Sequence, residues 1–155
     1  MEKIASFCIN HDTLTPGIYT SRVDFGDIVT YDLRYHYPNA GRYLSPGAAH
    51  TVEHIFATWV RSGASGIGDR VLYFGPMGCL TGFYLILKDV TPDTAISAVS
   101  QGMRFVRDYE GEIPGAQKVE CGNYLLHDLM AAKNEAAAFC EAITGWNIDR
   151  LRYPE

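Results

Sequence analysis

The sequence has few basic residues, no long apolar run and no closely spaced cysteine pair, and each shortage excludes a class of protein. Thirteen Lys and Arg against eighteen Asp and Glu give a net charge of −5 and a pI near 5.5. Without a basic cluster, we expect no binding to nucleic acid or to an anionic membrane surface. No segment reaches the roughly 20 apolar residues of a membrane span, and the N-terminus lacks a signal-peptide pattern. We therefore expect a cytoplasmic protein.

Cysteine is also scarce, with four residues at positions 8, 79, 121 and 140 and no C-x-x-C motif. In a reducing compartment, such widely spaced cysteines bind metals, act in catalysis or lie buried more often than they form disulfides. The length of 155 residues and the hydrophobic content of 47% are typical of one globular domain, which we assign to residues 1–155.

The order of the predicted elements indicates an α+β fold. Strands are predicted near 18–25 and 28–37, separated by Gly26-Asp27, and again over 71–74 and 83–87. Ser45-Pro46 and Thr91-Pro92 are helix-start signals, and they predict helices over 46–61 and 92–109. A third helix is predicted from about 124 to 143. We expect an antiparallel β-sheet with the helices packed on one face, an α/β sandwich.

Apolar spacing predicts which face of each helix is buried. For the first helix the expected core residues are Ala49, Val52, Phe56 and Trp59. For the third helix they are Leu126, Leu129, Met130, Ala137 and Cys140.

The segment His50-Thr51-Val52-Glu53-His54 is the strongest functional motif. Positions i, i+3 and i+4 share one face of a helix, so both imidazoles and the carboxylate can converge on one point. This H-x-x-E-H pattern is also that of inverted zinc peptidases, in which the glutamate is the base. The pattern predicts a metal site and leaves the reaction open.

Two histidines need a third ligand, and Cys121 is the candidate. Gly122 relieves crowding beside it, and a helix start would favour a thiolate. A His₂Cys set leaves a fourth position open for water or substrate, and it suits zinc, ferrous iron or cobalt. From spacing alone, a buried structural role for Cys121 is an equal alternative.

Cys79 follows the bend Gly75-Pro76-Met77-Gly78, which can expose its thiol. Near a cation such a thiol ionises readily and can act as a base or nucleophile. A core position is the competing interpretation. For Cys8 and Cys140, which have no comparable context, we expect the structural role.

Taken together, these motifs resemble the S-ribosylhomocysteine lyase (LuxS) family along nearly the whole chain. The matching segments are Ser6-Phe7 with His11, Asp32-Leu33-Arg34, His50 to His54, Pro76 to Cys79 with Thr81 to Tyr84, and Cys121-Gly122. The resemblance implies an α+β sandwich and a homodimer with two active sites at the subunit interface.

The resemblance also implies the site residues. It implies that His50, His54 and Cys121 bind one divalent metal per subunit, with Fe²⁺ as the native ion and Zn²⁺ or Co²⁺ as substitutes. It assigns proton transfer to Glu53 and Cys79. It assigns substrate binding to three further residues, Ser6, His11 and Arg34.

The implied reaction cleaves S-ribosylhomocysteine to homocysteine and 4,5-dihydroxy-2,3-pentanedione, the autoinducer-2 precursor. It proceeds by carbonyl migration along the ribose and then by β-elimination of the thiol. The chain departs from the common family pattern Asp-Ile-Ser before Pro76, where it has Tyr73-Phe74-Gly75. It therefore lacks an acidic group and a hydroxyl that line the substrate pocket in other members.

Two other functions share parts of this pattern. A metallopeptidase of the inverted H-x-x-E-H type would use the same helix, but it would need a carboxylate as third ligand and gives Cys79 no role. A non-catalytic sensor that retains the metal and binds the ligand without turnover is the second alternative, and the altered segment 73–75 motivates it.

Overall fold

The structure is a computed structural model, which describes residues 2–155. One antiparallel sheet contains β1 (Gly17–Asp24), β2 (Ile28–Arg34), β3 (Val71–Pro76) and β4 (Gly82–Lys88) in the spatial order β1-β2-β4-β3. Three helices, α1 (Pro46–Arg61), α2 (Pro92–Arg107) and α3 (Leu129–Ala142), pack on this sheet. The predicted α+β class is confirmed.

Strict alternation along the central strands divides the sheet into an inner and an outer face. On the inner face, Leu33, Phe83 and Leu85 are fully buried. Phe74 joins them and packs against Phe56 of α1, with ring centroids 4.5 Å apart. The core therefore lies between the sheet and the helices, and β2 and β4 direct their other side chains to the outer face.

Side-chain caps fix where each helix begins. Ser45 Oγ accepts a hydrogen bond from the Ala48 amide at 3.1 Å, and Thr91 Oγ1 accepts one from the Thr94 amide at 3.3 Å. These contacts satisfy amides that lack partners within the helix. The predicted starts of α1 and α2 are confirmed.

The third helix begins at Leu129, and its predicted start at 124 is wrong. Asp128 is the cap, because its Oδ1 accepts from the Ala131 amide at 2.9 Å. Residues 122–125 form a turn, and residues 126–128 belong to no helix or strand. The predicted helix extends too far because Tyr124, Leu125 and Leu126 are apolar and no glycine or proline separates them from Leu129.

The predicted buried face of this helix is wrong in part, although Leu129 and Cys140 do pack against the core. Ala132, Ala136 and Phe139 are its buried residues, whereas Leu126 and Met130 are exposed. Leu129, Ala137 and Cys140 are partly buried. In α1, Ala49, Val52 and Phe56 are buried as predicted, together with Ile55 and Val60, and Trp59 is partly buried. The second strand ends at Arg34 rather than 37.

The segment after α3 folds back on β1. The Thr20 amide donates to the Leu151 carbonyl at 2.7 Å, and Trp146 Nε1 donates to the Ile18 carbonyl at 2.9 Å. A β-carbon at Gly17 would lie 2.1 Å from the Trp146 ring, so this close approach requires glycine. Tyr153 is thereby brought to the outer face of the sheet, where it stacks on Tyr19 with centroids 5.1 Å apart.

Among the residues described, none of the helices combines the length and the apolar character needed to cross a membrane.

Candidate functional site

Helix α1 presents His50 and His54 one turn apart on the same face. Their Nδ1 atoms lie 2.6 Å from the Leu126 carbonyl and 2.8 Å from the Pro114 carbonyl. A carbonyl only accepts, so each Nδ1 carries the proton and each Nε2 keeps a free lone pair. This backbone support is the arrangement that orients histidines as metal ligands.

Cys121 lies opposite the two imidazoles. Its Sγ is 3.4 Å from His50 Nε2 and 3.9 Å from His54 Nε2. Cys121 lies before α3 rather than at a helix start, but the Asn123 amide still donates to the sulfur at 3.4 Å. The structure therefore brings together all three residues proposed from the sequence as ligands.

His127 belongs to the same cluster and was not anticipated. Its ring is nearly parallel to that of His50, with centroids 4.1 Å apart and an interplanar angle of 15°. One ligand atom from each of His50, His54, Cys121 and His127 can be chosen so that all lie within 4.8 Å of one another. The predicted third helix includes position 127, and the sequence pattern assigns His127 no role as a ligand.

The hydrogen bonds of Thr51 fix the tautomer of His127. The Thr51 hydroxyl donates to the Gly47 carbonyl at 2.8 Å, so it accepts from His127 Nδ1, which lies 3.1 Å away. His127 Nε2 is buried and has no hydrogen-bond partner within residues 2–155. Burial and the two neighbouring imidazoles lower the pKa of His127, which favours the neutral, metal-binding form.

This donor set fits a divalent metal. A buried lone pair without a partner is costly unless something binds it. Imidazole nitrogens together with a thiolate suit zinc, ferrous iron and cobalt and are poor ligands for calcium or magnesium.

Glu53 lies on α1 between the two histidines and is partly buried. It lines a cleft with Tyr73 and Phe74 of β3. The carboxylate therefore faces a space that could receive a ligand, beside the metal-binding group.

Cys79 is exposed on a tight turn between β3 and β4. The Leu80 amide donates to the Met77 carbonyl at 2.9 Å, and Leu80 adopts a left-handed φ of 57°. The Cys79 sulfur lies 3.1 Å from Thr81 Oγ1. This bend displays the thiol as the sequence suggested.

Arg34 connects Thr81, the hydrogen-bond partner of Cys79, to a buried ion pair with Asp32. It donates from Nη1 to Thr81 Oγ1 at 2.6 Å and from Nη2 to Asp32 Oδ2 at 2.5 Å. Burial disfavours the Cys79 thiolate, but the Thr81 hydrogen bonds and the Arg34 charge outweigh it and lower the pKa of the Cys79 thiol.

The remaining predicted residues are divided between two clefts. His11 lines a cleft with Cys79 and Thr81. Ser6 lines a different cleft on the outer face, with Tyr73 and Tyr84.

The two remaining cysteines differ from each other. Cys8 is exposed, so the expected buried position is wrong for it, because it follows a short 3-10 turn outside the core. Cys140 is partly buried, and burial raises the pKa of its thiol.

The family model and the curated relatives that match this chain all belong to one enzyme family. The family model described as S-Ribosylhomocysteinase (LuxS) matches residues 4–150. The chain is 44% identical to the S-ribosylhomocysteine lyase of Clostridium acetobutylicum, and the alignment covers 100% of both chains. It is 45% identical to that of Phocaeicola vulgatus, covering 99% of this chain and 98% of the relative. It is 40% identical to that of Borreliella burgdorferi, covering 99% and 100%.

Proposed function

Since this chain belongs to the S-ribosylhomocysteinase (LuxS) family, we propose that it is an S-ribosylhomocysteine lyase. It cleaves the thioether of S-ribosylhomocysteine to give homocysteine and 4,5-dihydroxy-2,3-pentanedione. The observation that carries this proposal is the convergence of the His50, His54 and Cys121 donor atoms beside Glu53. A thiolate as third donor favours the lyase over an H-x-x-E-H peptidase, which needs a carboxylate there.

His50, His54 and Cys121 would hold the metal, with Fe²⁺ as the native ion and Zn²⁺ or Co²⁺ as substitutes. When bound, the metal supplies Lewis acidity toward the substrate oxygens. The carbonyl hydrogen bonds to His50 and His54 keep their Nε2 atoms directed at one point without further rearrangement.

Glu53 and Cys79 carry the protons. Migration of the carbonyl requires a proton to leave one sugar carbon and another to arrive at its neighbour, and two bases on different sides of the carbon chain can do this. In the last step a base removes the proton α to the carbonyl, the C–S bond breaks, and the homocysteine sulfur leaves with the bonding pair. The lowered pKa of Cys79 increases the share of the thiolate, the form that accepts a proton.

Ser6 and His11 are proposed to contact the substrate from their two clefts. Arg34 is only 2% exposed, and its guanidinium is engaged by Asp32 and Thr81. Its proposed contribution to binding is therefore a positive charge below the Cys79 cleft.

A homodimer with both active sites at the subunit interface would explain why Glu53 and Cys79 lie in different clefts of one subunit. Glu53 lines one cleft and Cys79 another, although both are needed for one reaction. Exposed aromatic side chains line both clefts, with Tyr73 of the Glu53 cleft 48% exposed and Tyr43 of the Cys79 cleft 61% exposed. Aromatic side chains of this kind are suited to burial against a second copy. We propose that the enzyme acts in the cytoplasm and supplies an autoinducer precursor.

The test is anaerobic incubation of the metal-loaded protein with S-ribosylhomocysteine while free thiol is measured. Thiol release by the parent protein, and none by Glu53→Gln or Cys79→Ala at equal metal content, is the expected result. Binding of the substrate without thiol release would instead identify a sensor. Activity in both variants would overturn the proton-transfer assignment.

A further inference from the structure

A continuous chain of hydrogen bonds runs from the segment after α3 to the thiol of Cys79. Tyr153 donates its hydroxyl proton to Asp32 Oδ2 at 2.9 Å, and the same oxygen accepts from Arg34 Nη2. Arg34 Nη1 then donates to Thr81 Oγ1, which lies 3.1 Å from Cys79 Sγ. Tyr153 has no role in the chemistry described above.

The direction of each hydrogen bond is fixed by chemistry. Arg34 has only donors, so Thr81 Oγ1 must be the acceptor in their contact. The proton of the Thr81 hydroxyl is therefore free to point at the Cys79 sulfur. A sulfur that receives a hydrogen bond is better stabilised as the thiolate than as the thiol.

The middle of this chain is isolated from solvent. Asp32 is 0% exposed and Arg34 is 2% exposed. Asp32 Oδ1 and Arg34 Nε have no hydrogen-bond partner in the part of the chain that is described. The position of the guanidinium thus depends on few contacts, and the carboxylate that anchors it depends on Tyr153.

Contacts of its ring and of the neighbouring backbone fix the position of Tyr153. Its ring stacks on Tyr19 with an interplanar angle of 22°, and the nearby Leu151 carbonyl accepts from the Thr20 amide. Burial raises the pKa of the Asp32 carboxyl, while Arg34 and the Tyr153 hydrogen bond oppose that rise and favour its charged form.

We propose that Tyr153 is a positioning residue for Cys79, acting through Asp32, Arg34 and Thr81. Its hydroxyl fixes the Asp32 carboxylate, the carboxylate fixes the guanidinium, and the guanidinium holds the Thr81 hydroxyl against the sulfur. The importance of Tyr153 for turnover rests on the proposed lyase function. The effect of Tyr153 on the reactivity of the Cys79 thiol does not depend on that function.

Other ionisable groups face Cys79 and must stay constant in any test. One is Tyr84 on β4. Three others line the cleft of Cys79, namely His11, Arg42 and Tyr43. The Arg42 guanidinium also lies 3.8 Å from the carboxylate of Glu135 on α3. Substitutions at Tyr153 and Thr81 leave all of these groups in place.

The experiment measures how alkylation of Cys79 by iodoacetamide depends on pH in the metal-loaded full chain. Mass spectrometry of the Cys79 peptide separates its rate from those of the other cysteines. The variants are Tyr153→Phe, which keeps the ring and removes the hydroxyl, Thr81→Val, and Thr81→Ser as the conservative replacement. Tyr109→Phe is the matched control, because it removes a hydroxyl hydrogen bond of 2.6 Å to the Glu112 carbonyl in a different part of the fold.

We expect the alkylation midpoint to rise by about one pH unit in Thr81→Val and by a smaller amount in Tyr153→Phe. Thr81→Ser and Tyr109→Phe should keep the parent midpoint. In the lyase assay, Tyr153→Phe should lower kcat by about tenfold with little change in KM.

An unchanged midpoint in Tyr153→Phe would overturn the proposal, whatever the change in thermal stability. An equal shift of the alkylation midpoint in Tyr153→Phe and Tyr109→Phe would also overturn the proposal, because the effect would then come from a general loss of stability. If the midpoint moves as expected but the parent releases no thiol, the positioning role stands and the lyase function fails.

Discussion

The hydroxyl of Tyr73 lies directly over the α-carbon of Gly75, where a β-carbon would be 2.1 Å from the Tyr73 oxygen. These two positions are also where the chain departs from the common family pattern, so the departures are coupled. With Tyr73 in this orientation, a β-carbon at position 75 would force the exposed tyrosine ring to move. Because Tyr73 also lines the clefts of Glu53 and Ser6, the pair changes the surroundings of both residues.

This coupling predicts the stability of substitutions at Gly75. In a strand, replacing glycine with alanine is ordinarily neutral or stabilising by up to about 1 kcal/mol. Here we expect Gly75→Ala to destabilise by about 1 kcal/mol because the Tyr73 ring must move. In a Tyr73→Ala background the same substitution should be neutral or stabilising. Urea unfolding of the four proteins measures the coupling, and equal effects in both backgrounds would contradict it.

The first helix and the metal-binding group could be predicted because their signals are local. Ser45-Pro46 marks the helix start, and spacing by three and four residues places His50 and His54 on one face. His127 could not be predicted, because its approach depends on the turns before Asp128 and on a hydrogen bond to Thr51, 76 residues away. The contact between Tyr153 and Asp32 joins residues 121 positions apart and has no local signal at all.

The metal-binding cluster predicts different effects for its cysteine and its third histidine, His127. Catalytic sites keep one position open, so we expect His50, His54 and Cys121 to suffice as ligands and His127 to support His50 by stacking. In the cobalt-loaded protein, Cys121→Ala should abolish the thiolate-to-cobalt charge-transfer band. His127→Gln should retain the band and bind metal about 10–100-fold more weakly. A change of coordination number in His127→Gln would instead identify a closed, four-ligand site.

The buried pair of Asp32 and Arg34 predicts an asymmetric response to mutation. Arg34→Met leaves the Asp32 carboxylate buried without its cation, and we expect a loss of about 3–5 kcal/mol in the free energy of unfolding. Adding Asp32→Asn should restore a large part of that loss, because the uncompensated charge is removed. Urea unfolding measures both, and an equal or greater loss in the double variant would show that the charge is not the cause.

The division of Glu53 and Cys79 between two clefts predicts complementation between inactive subunits. If each site combines Glu53 of one subunit with Cys79 of the other, a heterodimer of Glu53→Gln and Cys79→Ala contains one intact site. Two affinity tags on co-expressed chains allow this heterodimer to be purified. It should show about half the activity of the parent dimer, as two-fold symmetry requires.

A heterodimer of the parent with Glu53→Gln is the reference for this measurement, because it contains one functional site whichever subunit supplies Cys79. Each inactive variant alone should release no thiol, so activity in the mixed protein can come only from shared sites. An inactive heterodimer beside a half-active reference would place both residues in the same subunit. Failure to recover any two-tag species would exclude the dimer itself.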